Sequence, residues 1–296
     1  MKQFNNETIP IIFFGSSKFV IPILEVLRKN FDLKLVLTTE NPNLALQGEA
    51  LQTPVIRYCV KNKIPYLSIS NLSDPTLNSQ LSTLNSEVAV LADFGLILPD
   101  KILNAFPKGI INIHPSLLPK YRGPTPVQTA ILNGEKITGV SIMKLDKEID
   151  HGPILGQEKE EILDTDTADI LYKRLFEKGA NLLIKVLPNY IKGSLKPTTQ
   201  NHKEATFTKT LTRQDGYVDI SKIKMQKSKI DRMIRAYFPW PGAWTNLRIN
   251  DKLLRIKFLP GNKIQAEGKK PMTYKDFQNG YPNAKGVILQ ILPINK

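Results

Sequence analysis

The chain has 296 residues, 41% of them apolar and 23% charged, with one cysteine and a formal net charge of +14. That length and apolar share allow two packed domains and exclude an intrinsically disordered chain. A single cysteine excludes an internal disulfide framework and suits a reducing compartment. No run reaches the ~18 apolar residues of a membrane span, and Glu7 interrupts the N-terminal stretch before it reads as a signal, so a cytoplasmic protein is expected.

In chain order, "IPIIFFG" is a short continuous apolar run, the pattern of a strand buried on both faces. "KFVIPILEVLRKN" follows with apolar residues at helical spacing, and "DLKLVLTT" reads as a second strand. A helix at "TPVIRYCVKNK", with Cys59 on its buried side, leads to a strand at "IPYL". A helix near "DPTLNSQLSTLN", a strand at "EVAVLA" and the strand "GIINIH" continue the series. Alternating strands and helices predict an α/β, doubly wound, Rossmann-like parallel sheet, with ligands outside the carboxyl ends of the strands. "FFGSSKF" lacks the GxGxxG spacing, no GxxxxGK[ST] exists, and the three histidines and one cysteine do not fall at metal-ligand spacings. Neither a nucleotide-phosphate site nor a metal site is expected.

The long helical pattern "TADILYKRLFEKGANLLIKVLPNYI" ends at the polar stretch "KGSLKPTTQNHKEATF". That composition marks a linker at about 193–206, between a first domain at 1–200 and a second at 207–296. Beyond it, the short runs "YVDI", "WTNLRI", "LLRIKFL" and "GVILQIL" surround one amphipathic helix, "SKIDRMIRAYF", whose Ile230, Met233, Ile234 and Tyr237 share a face. A smaller, mainly β, OB-like barrel domain is expected. Charge divides the same way: residues 1–200 hold 22 Lys/Arg against 20 Asp/Glu (+2), and residues 201–296 hold 19 against 7 (+12). Such asymmetry points to contact of the second domain with nucleic acid or a membrane surface.

Chemistry concentrates in "INIHPSLLPKYRG". Side chains alternate along a strand, so Asn112 and His114 share one face while Ile111 and Ile113 fill the other. Thirty-six positions after His114, Asp150 follows the strand "TGVSIMKL" and precedes a Gly-Pro turn. An Asp near a His can orient the ring and accept a proton, and an Asn amide can donate to a developing oxyanion. The three together suit acyl-type transfer to an amine through a tetrahedral intermediate. Spacing alone leaves open a structural histidine and an Asp that only makes a turn.

The segments "INIHPSLLPKYRGPTPVQTAILNG", "TGVSIMKLDKEIDHGPIL", "IRAYFPWPGAWT", "GSSKFVIPILEVL", "LADFGLILP" and "EGKKPMTYKDFQNGYP" closely resemble the methionyl-tRNA formyltransferase family across nearly the whole chain. The resemblance implies 10-formyltetrahydrofolate as formyl-donor co-substrate, no metal, and the α-amino group of initiator methionyl-tRNA as acceptor. It assigns catalysis to Asn112, His114 and Asp150. It lays the folate along Ser116, Leu117, Leu118 and Pro119, with the pterin against Phe94, Gly95, Leu96, Ile97, Leu98 and Pro99. The charge split makes Lys203, Lys209, Arg213, Lys222, Lys224, Lys227, Lys229 and Arg232 the candidate tRNA contacts, in a protein expected to be monomeric and without a membrane partner. The family's basic loop after the second strand has no counterpart here, because Thr39–Val55 contains Glu40 and Glu49 and no Lys or Arg. The rival reading is a sugar-nucleotide N-formyltransferase with the same donor and trio. A glycinamide ribonucleotide formyltransferase, a formyltetrahydrofolate hydrolase and a nucleic-acid-binding protein with a vestigial domain are further alternatives.

Overall fold

The structure is a computed structural model and describes residues 9–39, 52–219, 227–249 and 252–284. The apolar runs near the N-terminus become β1 (Pro10–Gly15) and β2 (Asp32–Thr39), joined by α1 (Ile21–Asn30). Ser17 opens the turn before α1 by accepting the Phe19 N–H at 3.2 Å. Thr53 and Asp74 do the same for α2 (Pro54–Asn62) and α3 (Pro75–Thr83), each followed by a proline whose fixed φ suits a first helical turn. Between and after them lie β3 (Tyr66–Ile69), starting two residues later than "IPYL" suggested, and β4 (Val88–Ala92). The single turn α4 (Asp100–Leu103) precedes β5 (Gly109–His114). Then come α5 (Pro126–Asn133), β6 (Ile137–Lys144), β7 (Ile154–Glu161) and α6 (Ala168–Ile191).

These strands form one sheet in the order β3-β2-β1-β4-β5-β6-β7. The first five are parallel, and the order reverses at β1/β4, as in a doubly wound fold. Ile11, Ile12, Phe13 and Phe14 of β1 are all fully buried, which a strand covered on both faces requires. Cys59 is buried in α2, where burial pushes its thiol up to about 11.

β6 runs antiparallel to β5, pairing Ile111 with Lys144 and His114 with Ser141. The helix between them, α5, belongs to the second compact unit, so the chain leaves the sheet and returns without the crossover that makes neighbours parallel. The carboxyl end of β6 therefore lies beside the start of β5, away from His114. β7 went unread in the sequence because only Leu155 of "ILGQEKEE" is buried and its last four residues are all charged.

Among the described residues, the first unit draws on the chain up to 122 with 139–160 and 173–207, and the second on 123–138, 161–172 and 208 onward. In the second unit, α7 (Lys227–Ala236) packs with β8 (Ala243–Ile249), β9 (Lys252–Leu259), β10 (Lys263–Ala266), β11 (Met272–Thr273) and α8 (Tyr274–Gly280). The strands make an antiparallel sheet in the order β11-β10-β9-β8. Ile230 and Ile234 of α7 are buried against Leu247, Ile256, Phe258 and Phe277, with Met233 beside them. That is the face the helical spacing selected. The further run "GVILQIL", at 286–292, lies outside the described residues.

Candidate active site

Asn112 and His114 close β5 with their side chains on one face, 7% and 5% exposed. Asp150 reaches that face from the β6–β7 loop. Asn112 Nδ2 donates to Asp150 Oδ1 at 3.2 Å, and His114 Nδ1 lies 3.5 Å from Asp150 Oδ2. The loop starts at the far end of β5, so it must fold back over the sheet face to bring Asp150 there. Leu145 N–H donates to Ile110 O at 2.8 Å at its start, and Asp150 itself sits in the left-handed region at φ 48. Gly152 presses against Lys144 O so closely that a Cβ would be 2.0 Å from it, and only glycine fits.

The histidine's tautomer follows from its other nitrogen. His114 Nε2 lies 2.9 Å from the carbonyl of Tyr121, which can only accept, so Nε2 carries a proton. In the neutral ring Nδ1 is then the bare nitrogen, and it faces the Asp150 carboxylate. A proton arriving between Nδ1 and Oδ2 satisfies both atoms.

The motif after β5 is pinned inward. Ser116 is fully buried, with its hydroxyl donating to Lys120 O at 2.7 Å. Leu118 is 3% exposed, and its N–H donates to Ser141 Oγ at 3.0 Å. Gln157 Nε2 donates to both Leu118 O and Ser141 Oγ at 2.8 Å. Leu117 packs on Gly139 of β6, and Pro119 is half-buried. In the loop after β4, Phe94 is buried edge-on against Phe14, centroids 5.3 Å apart, and Leu96 and Leu98 pack on the same core. Gly95 takes φ 84 and Pro99 is exposed. Ile97 points the other way and is 91% exposed. Lys147 donates to Asp100 Oδ2 at 2.8 Å, which ties the Asp150 loop to the end of the Ile97 loop.

The basic residues scatter. Lys203, Arg213, Lys227 and Lys229 are exposed, and Lys209 is paired with Asp215. Arg232 is half-buried on α7, with its guanidinium 2.8 Å from where a Cβ on Gly134 would stand. Lys222 and Lys224, and positions 40–51 of the cation-free loop, lie outside the described residues. Among the described residues, no group of three or more His, Cys, Asp or Glu side chains could hold a metal ion, and no helix is long and apolar enough to cross a membrane.

Sequence reasoning missed two residues. Arg122 is 3% exposed and Gln200 is 4% exposed. Gln200 Nε2 donates to Asp150 O at 2.9 Å and Gly152 O at 2.7 Å, while its Oε1 accepts from Arg122 Nη2 at 2.8 Å and Nε at 3.2 Å. Arg122 stands inside "PKYRG" and so had a signal. Gln200 had none, since a glutamine in a polar stretch between exposed neighbours carries no periodicity.

Residues 9–187 match the formyl transferase family. The chain is similar to the methionyl-tRNA formyltransferase of Chloroflexus aurantiacus, 43% identical over 236 residues covering 79% of this chain and 75% of that protein. It is 34% identical to that of Thermodesulfovibrio yellowstonii, covering 91% and 95% of the two chains. Among solved structures, an N-formyltransferase from Helicobacter canadensis in complex with folinic acid and dTDP-3-aminofucose shares the fold, with a TM-score of 0.60 at 22% identity over 87% of this chain and 94% of that one.

Proposed function

The chain belongs to the methionyl-tRNA formyltransferase family, and on that premise we propose that it transfers the formyl group of 10-formyltetrahydrofolate to the α-amino group of initiator methionyl-tRNA, in translation initiation. The observation that carries the reading is the convergence of Asn112 and His114 on one carboxylate, Asp150, at 3.2 and 3.5 Å. That group offers a donor for a developing oxyanion and a carboxylate–imidazole pair for a proton, and the transfer needs both.

The amine nitrogen attacks the formyl carbon directly, forming a C–N bond as the carbonyl oxygen takes negative charge. Asn112 has two amide hydrogens; one is given to Asp150, and the second donates to that oxygen. Asp150 accepts the proton the attacking amine must lose. His114, held by Tyr121 O, shares that proton through Nδ1, and the positive charge its ring then carries offsets the oxyanion. Collapse of the tetrahedral intermediate breaks the old C–N bond, and the departing nitrogen takes up one proton, so the transfer is balanced. No Ser or Cys nucleophile is needed.

A flat heteroaromatic donor needs an apolar wall beside polar contacts. Ile97, presented outward on a loop tied to the Asp150 loop, supports that role. Ser116 and Leu118 support it from behind, as the inward-pinned base of the neighbouring turn. The acceptor decides between this reading and a sugar-nucleotide N-formyltransferase. Purified protein given the folate donor should formylate charged initiator tRNA and leave a UDP-4-amino sugar unmodified. Turnover on the sugar nucleotide alone would reverse the assignment.

A further inference from the structure

We infer that residues 198–207 act as a strap that sets the positions of both Asp150 and His114, with Gln200 as its central positioning residue; this rests on the catalytic reading of those two side chains. The composition of this stretch suggests a mere linker, but its contacts fall on the catalytic loop and on the turn behind the histidine. Thr198 exchanges two backbone hydrogen bonds with Ile154, each 2.8 Å, where β7 begins. Gln200 then spans the carbonyls on either side of His151, at Asp150 and Gly152. The His202 ring stacks on His151, centroids 4.0 Å apart and planes 7° from parallel. The segment thus grips residues 150, 151 and 152 in succession.

The other grip is on the histidine side. Thr206 Oγ1 accepts the Tyr121 N–H at 2.8 Å, and Thr206 O accepts the Arg122 N–H at 2.8 Å. Tyr121 is left-handed at φ 60, and its carbonyl is the one that holds His114 Nε2. Arg122 joins the two grips, because its guanidinium donates to Gln200 Oε1 and to His202 Nδ1 at 2.8 Å. Its charge makes those bonds stronger than neutral ones, and burial shields them from water.

The need for a strap follows from the topology. A catalytic residue at a strand end is fixed by the sheet, and His114 has that support. Asp150 does not, because its loop leaves β6 at the wrong end and doubles back. A misplacement of about 1 Å in a reacting group can cost ~10²-fold in rate. Gln200 meets the backbone of Asp150 and touches neither reacting atom, so it acts through position alone.

The test is a double-mutant cycle on the full-length protein, with formyl transfer to charged initiator tRNA as the readout. Gln200→Leu should lower kcat by about 10-fold or more, with KM for both substrates within about threefold of the parent. In an Asp150→Asn background the same change should cost at most about twofold, since Gln200 holds Asp150, whose function is already lost, while His114 is held through Thr206 and Tyr121. Equal losses in both backgrounds, or an unchanged kcat, overturn the strap. Parent-like turnover in Asp150→Asn alone would instead overturn the catalytic reading beneath it. Gln200→Leu leaves a buried guanidinium short of an acceptor and risks unfolding. Gln200→Asn keeps the amide on a stem too short to span both carbonyls. It should show the same large loss in the parent background and the same small one beside Asp150→Asn, and equal losses would again overturn the strap.

Discussion

Asn112 is a single carboxamide at a strand end, and its position was legible from four letters. The alternation Ile-Asn-Ile-His puts it on the face of His114, and the structure keeps both there, nearly buried. Asp150 was legible as a candidate from its place after a strand, but no local pattern says that an Asp before Gly-Pro will fold back across a sheet. Gln200 was not legible at all, since its partners are two carbonyls about fifty residues away. Asn112→Ala removes the proposed oxyanion donor and takes one partner from Asp150 Oδ1. It should lower kcat by about 10²-fold or more, the scale of losing one preorganised donor, with the fold intact by circular dichroism. An Asn112→Ala enzyme within threefold of the parent would assign the oxyanion to another group.

The loops after β4 and β5 show how alternation divides labour within an element. Phe94, Leu96 and Leu98 turn into the core, and the residue between the leucines, Ile97, turns out. The sequence marks the whole run as apolar without saying which member faces a ligand. Ile97→Asp should therefore raise KM for the folate donor by about 10-fold, leave KM for the tRNA near its parent value and keep the melting temperature, because a carboxylate would stand against an apolar ring. An unchanged donor KM would move the donor elsewhere. The same substitution at Leu118, which is 3% exposed, should unfold the protein and so report on the core. At this scale the doubly wound, mainly parallel sheet was readable from strand–helix alternation. The direction of β6 was not, because the sequence shows that a helix follows β5 without showing in which direction the chain re-enters the sheet.

Across the whole molecule the charge is divided into a nearly neutral first 200 residues at +2 and a basic remainder at +12. Two of those cations, Lys227 and Lys229, lie exposed in the first turn of α7, which holds no acid. Cations there oppose the helix dipole, so they add nothing to the helix and suit a polyanionic partner. Neutralising Lys222, Lys224, Lys227 and Lys229 together should weaken tRNA binding. It should also flatten the log–log salt slope by roughly 0.7–0.9 per lost phosphate contact and leave the donor KM unchanged. Retained affinity and slope would make this charge a solvated surface. A chain cut at residue 200 is no substitute for that variant, since it would remove Thr206, which holds Tyr121 and Arg122. Whether the Asn112–His114–Asp150 group moves the formyl group is decided by single-turnover transfer from 10-formyltetrahydrofolate to initiator methionyl-tRNA, comparing the parent with Asp150→Asn. The rate should be at least about 10²-fold lower in the variant, with donor binding within a few-fold of the parent. Transfer by Asp150→Asn at the parent's rate would contradict that role.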